Sequence, residues 1–182
     1  MGSIASDGKP NTLNHVQYMP IEDVERPERY RQGGYHPITI GDRLGDRYCI
    51  VHKLGFGAYS TIWLARDQKT AKYVAIKVTV STSDSASSHE SDILHRLGVA
   101  ELQAKAHPGS GIIPTMLDEF SISGPNGVHR CFVTAPGMMS LEGAKDTSSF
   151  RLFQMPVARA IAAQLIQAVV YLHSQAIVHA GK

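Results

Sequence analysis

Gly55, Gly57 and Lys77 are the residues of this 182-residue chain whose types and spacing most directly suggest chemistry. The two glycines stand one residue apart. Ile50, Val51 and Leu54 precede them, and Ile62, Trp63 and Leu64 follow. Apolar alternation broken by glycine predicts strand, tight turn, strand. A turn without Cβ atoms lets backbone N–H groups come close to a ligand, and a phosphate chain is the ligand that most often needs such a cradle. Lys77 lies within a second apolar run, Tyr73 to Val80, where an ammonium is costly to bury without an anionic partner. Each residue also has a plain structural role open to it: an ordinary glycine hairpin, and an edge lysine that discourages strand pairing.

The surrounding elements separate the ligand classes. A dinucleotide fold needs a helix after the glycines, but β-type residues follow here and Ser60 replaces the third glycine. A P-loop needs Gly-x-x-x-x-Gly-Lys-Ser/Thr. The one Gly-Lys pair is Gly181-Lys182, with Ala176 where the first glycine belongs. A glycine hairpin folded over a nucleotide remains, as in protein kinases. Val74-Ala75-Ile76-Lys77 resembles the kinase strand whose lysine holds the α- and β-phosphates.

Composition sets wide bounds. A net charge of +2 and 43% hydrophobic residues describe an ordinary soluble chain of about one domain, with no pull towards nucleic acid or a membrane surface. Cys49 and Cys131 lie in strand-like apolar runs, which predicts buried free thiols in a reducing compartment and a cytoplasmic or nuclear location. Arg159, Gln164 and Gln167 interrupt the longest apolar stretch, Val157 to Leu172, so no membrane span is expected. Met1-Gly2-Ser3-Ile4-Ala5-Ser6 fits the myristoylation pattern, but no basic cluster follows to give a second membrane signal.

Residues 1–34 read as a flexible tail. The following segment, 35–47, makes the resemblance specific. Arg31-Gln32-Gly33-Gly34-Tyr35-His36-Pro37 running into Gly41-Asp42, just ahead of the glycine turn, is similar to the SR-protein kinase family and above all to fungal SRPK-like serine/threonine kinases. In that family the segment packs on the N-lobe and does no chemistry; the plain alternative is a loop docking Tyr35. Gly55, Gly57 and Ser60 match the glycine loop, Trp63 to Asp67 the strand leaving it, and Lys77 the strand-three lysine. A Ser-rich linker, 81–88, leads to a short helix, His89 to Leu97, ended by Gly98. Glu90 matches the glutamate that pairs with the lysine, although Ser87-x-x-Glu90 also fits a capping box. The mobile linker would let the pair stand open without ligand. His89, Glu90 and His95 lack metal-ligand spacing.

Ile112 to Phe120 and Val128 to Thr134 predict two more strands around Gly124-Pro125-Asn126-Gly127. The resemblance thus implies an α+β fold: a kinase N-lobe and hinge over 48–137, with a five-stranded antiparallel sheet and helix C. Residues 138–182 then begin a C-lobe with helices D and E, the latter opened by Pro156. It further implies that ATP meets Leu54, Gly55, Phe56, Gly57, Ala58, Tyr59, Ser60, Ile62, Ala75, Lys77, Thr134, Ala135 and Gly137. Thr134 takes the gatekeeper position, and Ala135 and Gly137 depart from the usual hinge residues. The activity implied is ATP-dependent phosphoryl transfer to Ser/Thr of Arg/Ser-rich proteins, with Mg²⁺ as the family's metal. Tyr171 to His179 matches the approach to the catalytic loop, but Gly181 falls where the catalytic aspartate belongs, and no Mg²⁺ ligands of the family follow before Lys182. The chain is therefore expected to be a kinase truncated after helix E, inactive and poorly stable by itself; the alternative is a non-catalytic nucleotide- or partner-binding fragment.

Overall fold

The β-branched and aromatic runs form six antiparallel strands in the computed structural model, which describes residues 24–81, 84–103 and 107–178, with the backbone alone for 84–88 and 99–103. Gly2, His179 and Gly181 lie outside these residues, as does most of the expected tail. The strands are β1 (Arg43–Leu44), β2 (Tyr48–Gly57), β3 (Ser60–Asp67), β4 (Tyr73–Thr79), β5 (Met116–Gly124) and β6 (Gly127–Thr134). Their order across the sheet is β1-β2-β3-β4-β6-β5. The sequence predicts five; the sixth, β1, is a two-residue strand too short to show periodicity. β5 begins at Met116 rather than Ile112, because Pro114 cannot donate to a ladder and Ser110–Ile112 coil into a 3-10 turn instead.

Val74, Ile76 and Val78 alternate onto one face of β4 and join Ile50, Trp63, Ala65, Cys131 and Val133 in the core. Burial pushes the Cys131 thiol up to about 12, so it is a core side chain and not a nucleophile. Cys49, expected to be buried, is half-buried. Three strands separate β2 from β5, yet Tyr48 stacks on Phe120 with ring centroids 5.5 Å apart. The sheet therefore curls until its two ends meet. A charged latch closes the curl. Arg47 donates from Nε and Nη2 to the two oxygens of Asp67, each at 2.7 Å, and from Nη1 to Asp118 at 2.9 Å. Tyr48 Oη also donates to Asp118, at 2.6 Å. The Arg47 guanidinium, with further hydrogen bonds from Thr70 and Lys69, holds the Asp67 carboxyl well below the usual carboxylate range.

Three helices complete the described residues: α1 (Asp84–Gln103), α2 (Leu141–Asp146) and α3 (Met155–Ser174). α1 corrects the sequence at both ends. It takes in Ser85 to Ser88 from the expected linker and continues through Gly98, which therefore does not terminate it. A single helical glycine costs only about 1 kcal/mol, which neighbouring turns absorb. Ser87 lies inside the helix, not at its N-cap, so the capping-box alternative fails. Residues 24–34, expected to be tail, contain a 3-10 turn at Pro27–Arg29 and pack against the sheet. Gly34 turns the chain back there: a Cβ on it would stand 1.9 Å from the Arg29 carbonyl oxygen. α3 alone among the described residues is long and apolar enough to cross a membrane, so its polar interruptions do not exclude a span on length and composition; core helices of soluble proteins pass the same test. Its only buried residues are Ala168 and Tyr171.

Candidate functional site

Alternation along β4 places Ala75 and Lys77 on the face opposite the core. Ala75 forms part of the wall of an open cleft of about 830 Å³. Leu54, Ile62, Thr134, Ala135 and Gly137 line it as well, so six of the residues singled out from sequence meet there. Met138, at the end of the expected hinge, lines it too, as do Ile113, Pro114 and Leu117, which were not foreseen. Leu117 reads in the sequence as one more apolar residue of a strand, and no pattern marks it as a site residue.

The other glycine-turn residues stand apart from this lining. Gly55, Phe56 and Gly57 end β2, Ala58 and Tyr59 make the two-residue turn, and Ser60 opens β3. Phe56 and Tyr59 are exposed, and Ser60 is buried. A Cβ added to Gly55 or Gly57 would meet nothing within 4 Å, so both positions border open space and leave the backbone uncovered. Two side chains reach the turn from the segment before β1. Tyr35 Oη donates to the Gly57 carbonyl at 2.6 Å, and Arg29 Nη2 donates to the Ala58 carbonyl at 2.6 Å.

Lys77 lies two residues along β4 from Ala75, on the same face, about 7 Å beyond that wall of the cleft. Its Nζ donates to Glu90 Oε1 of α1 at 2.5 Å, so the pair stands closed rather than open. Both side chains are about a third exposed, 34% and 38%. A pair this wet is worth about 0–1 kcal/mol, so its value is orientation and not stability. An ammonium has three donors, and one carboxylate oxygen takes only one, leaving two for an anion.

The residue after Glu90 fixes α1. Ser91 is buried, and its Oγ donates to Glu119 Oε2 of β5 at 2.6 Å. Arg130 of β6 holds Oε1 of the same carboxylate at 2.6 Å, and His95 Nε2 stands 3.2 Å from Oε2. No sequence pattern marks this cluster: Ser91 and Glu119 lie 28 positions apart, and nothing local signals the pairing. Among the described residues no group of three or more His, Cys, Asp or Glu side chains could hold a metal.

The sequence matches the protein kinase domain family over residues 48–180. A serine/threonine protein kinase of Aspergillus fumigatus is 34% identical over 154 residues, which are 85% of this chain and 38% of the relative. SRSF protein kinase 3 of Homo sapiens is 34% identical over 166 residues, 91% of this chain and 29% of the relative. Serine/threonine-protein kinase spk-1 of Caenorhabditis elegans is 33% identical over 154 residues, 85% of this chain and 15% of the relative. The chain thus spans well under half the length of these relatives.

Proposed function

Since the chain belongs to the protein kinase domain family, we propose that its cleft binds ATP for phosphoryl transfer to Ser or Thr of protein substrates, those rich in Arg and Ser by analogy with its SRSF kinase relatives. Residues 48–137 serve as N-lobe and hinge in this reading, and 138–182 begin the C-lobe. The observation that carries it is the Lys77–Glu90 pair, closed at 2.5 Å beside a cleft of about 830 Å³. Leu54, Ile62, Ala75 and Thr134 offer the base an apolar slot, and the uncovered backbone at Gly55 and Gly57 leaves room for a phosphate chain. Glu90 holds the ammonium of Lys77 in place, so phosphate meets an oriented charge rather than a wandering side chain. Bound ATP supplies the transferable phosphoryl group. Mg²⁺ is the family's metal, and no described residue is assigned to it.

Gly181 favours a second reading for these 182 residues taken alone, because it offers no carboxylate at the position of the family's catalytic aspartate. The chain would then bind nucleotide without transferring phosphate. Free Cys49 and Cys131 suit a reducing compartment, cytoplasm or nucleus.

Titration calorimetry with Mg-ATP tests the binding. Lys77→Ala should weaken it about 10- to 150-fold, the worth of a charge-assisted hydrogen bond. Equal affinities for variant and wild type would remove Lys77 from the site. A ³²P-transfer assay on an Arg/Ser peptide separates the two readings: turnover that Lys77→Ala abolishes supports the kinase, and binding without turnover supports the nucleotide-binding module.

A further inference from the structure

We propose that Tyr35 and Arg29, in the segment ahead of β1, are positioning residues that aim the glycine turn at the phosphates of the bound nucleotide. This rests on the reading of the cleft as an ATP site.

The segment is itself anchored, so it can serve as a fixed frame. The side chain of Asn126, in the β5–β6 turn, donates to the Tyr35 carbonyl at 2.5 Å, and the Asn126 carbonyl accepts from Gly33 N at 2.9 Å and Ser81 Oγ at 2.8 Å. The Tyr35 side chain is only 1% exposed, and the Arg29 guanidinium lies 5.1 Å over its ring. Lys53 and Tyr30 both bind Glu25, which ties the start of the described segment to β2.

From this frame, Tyr35 and Arg29 capture the carbonyls of two successive residues, Gly57 and Ala58. None of the described peptide bonds is cis. In a trans peptide the C=O and the following N–H point in opposite directions. Fixing the Gly57 and Ala58 carbonyls on Tyr35 and Arg29 therefore turns the N–H groups of Ala58 and Tyr59 away from the segment. Gly57 has no side chain to steady its own backbone, and its surroundings are open, so the tip would otherwise sample many orientations. Holding it in advance spares the nucleotide the cost of ordering it.

The test compares the full chain with Tyr35→Phe, which keeps the ring and loses only the hydroxyl, and with Arg29→Gln on the exposed side. Each is titrated with Mg-ATP and with adenosine, which has the base and sugar but no phosphate. The expected result is a loss of about threefold to tenfold in ATP affinity, the scale of one hydrogen bond, with adenosine affinity unchanged. A merely structural role would weaken both ligands alike. Unchanged ATP affinity, or parallel losses for ATP and adenosine, would overturn the proposal while leaving the nucleotide site standing. Wild-type chain that binds neither ligand would overturn the nucleotide site and this proposal with it. If Tyr35→Phe does not fold, Arg29→Gln decides alone.

Discussion

The sheet and α3 are both built from apolar residues at the right period, yet they end in opposite surroundings. Ile76 in β4 is 0% exposed, and Ile166 in α3 is 64% exposed. The curled sheet covers its own core face, because β5 returns to meet β2. α3 meets the described residues mainly through residues 107–112, where the Gln167 backbone lies against Gly109 and Tyr171 against His107. Periodicity shows that a face is apolar; only topology shows whether something covers it. Along α3, Val157, Leu165 and Val169 are exposed, Ile161 and Leu172 are half-buried, and Ala168 is buried.

The largest expected effect sharpens this contrast directly. Ile76→Ala should cost about 2–5 kcal/mol in chemical denaturation, whereas Ile166→Ala should stay within about 0.5 kcal/mol. Similar costs at the two sites would mean that α3 is covered in solution and would dissolve the comparison. A middle-sized effect should follow from Gly109→Ala. A Cβ there would stand 2.1 Å from the Gln167 carbonyl oxygen, so the turn must shift off α3, at about 1–3 kcal/mol. Hydrogen exchange should speed up across α3 while the sheet amides keep their protection. Equal acceleration in both would show that the two regions unfold as one unit.

The smallest effect tests the sheet side alone. His36 packs edge-on against His129 with ring centroids 4.8 Å apart, and its Nδ1 is buried without a partner. Burial, then the facing His129, lower its pKa from 6.5, with Asp42 opposing them. The unfolded chain therefore takes up this proton first as the pH falls, so the stability His36 contributes is present above about pH 6.5 and lost below it. Thermal melts should show a lower Tm at about pH 5 than at about pH 7, and His36→Asn should flatten part of that slope. An unchanged slope would remove His36 as its source.

What the sequence made legible follows the same division between local and distant. The glycine turn, the Val-Ala-Ile-Lys strand and the antiparallel lobe could be read because each is a short pattern of adjacent residues. Lys77 and Glu90 could be paired because a known motif supplies both positions. The helix that carries Glu90 was bounded too tightly, since serines and a glycine suggest breaks that twenty helical residues overrode. Arg47 with Asp118, Ser91 with Glu119 and Tyr35 with Gly57 could not be read at all. Each joins residues 22 to 71 positions apart, and none has a local signature.

Glu90 and Ser91 are neighbours on one helix, yet they are moored to different strands, Lys77 on β4 and Glu119 on β5. Successive helical residues point about 100° apart around the axis. Two such moorings act like two compass bearings taken from one point: either alone allows the helix to roll, and together they leave a single heading. α1 can turn about its axis only by giving up one of them.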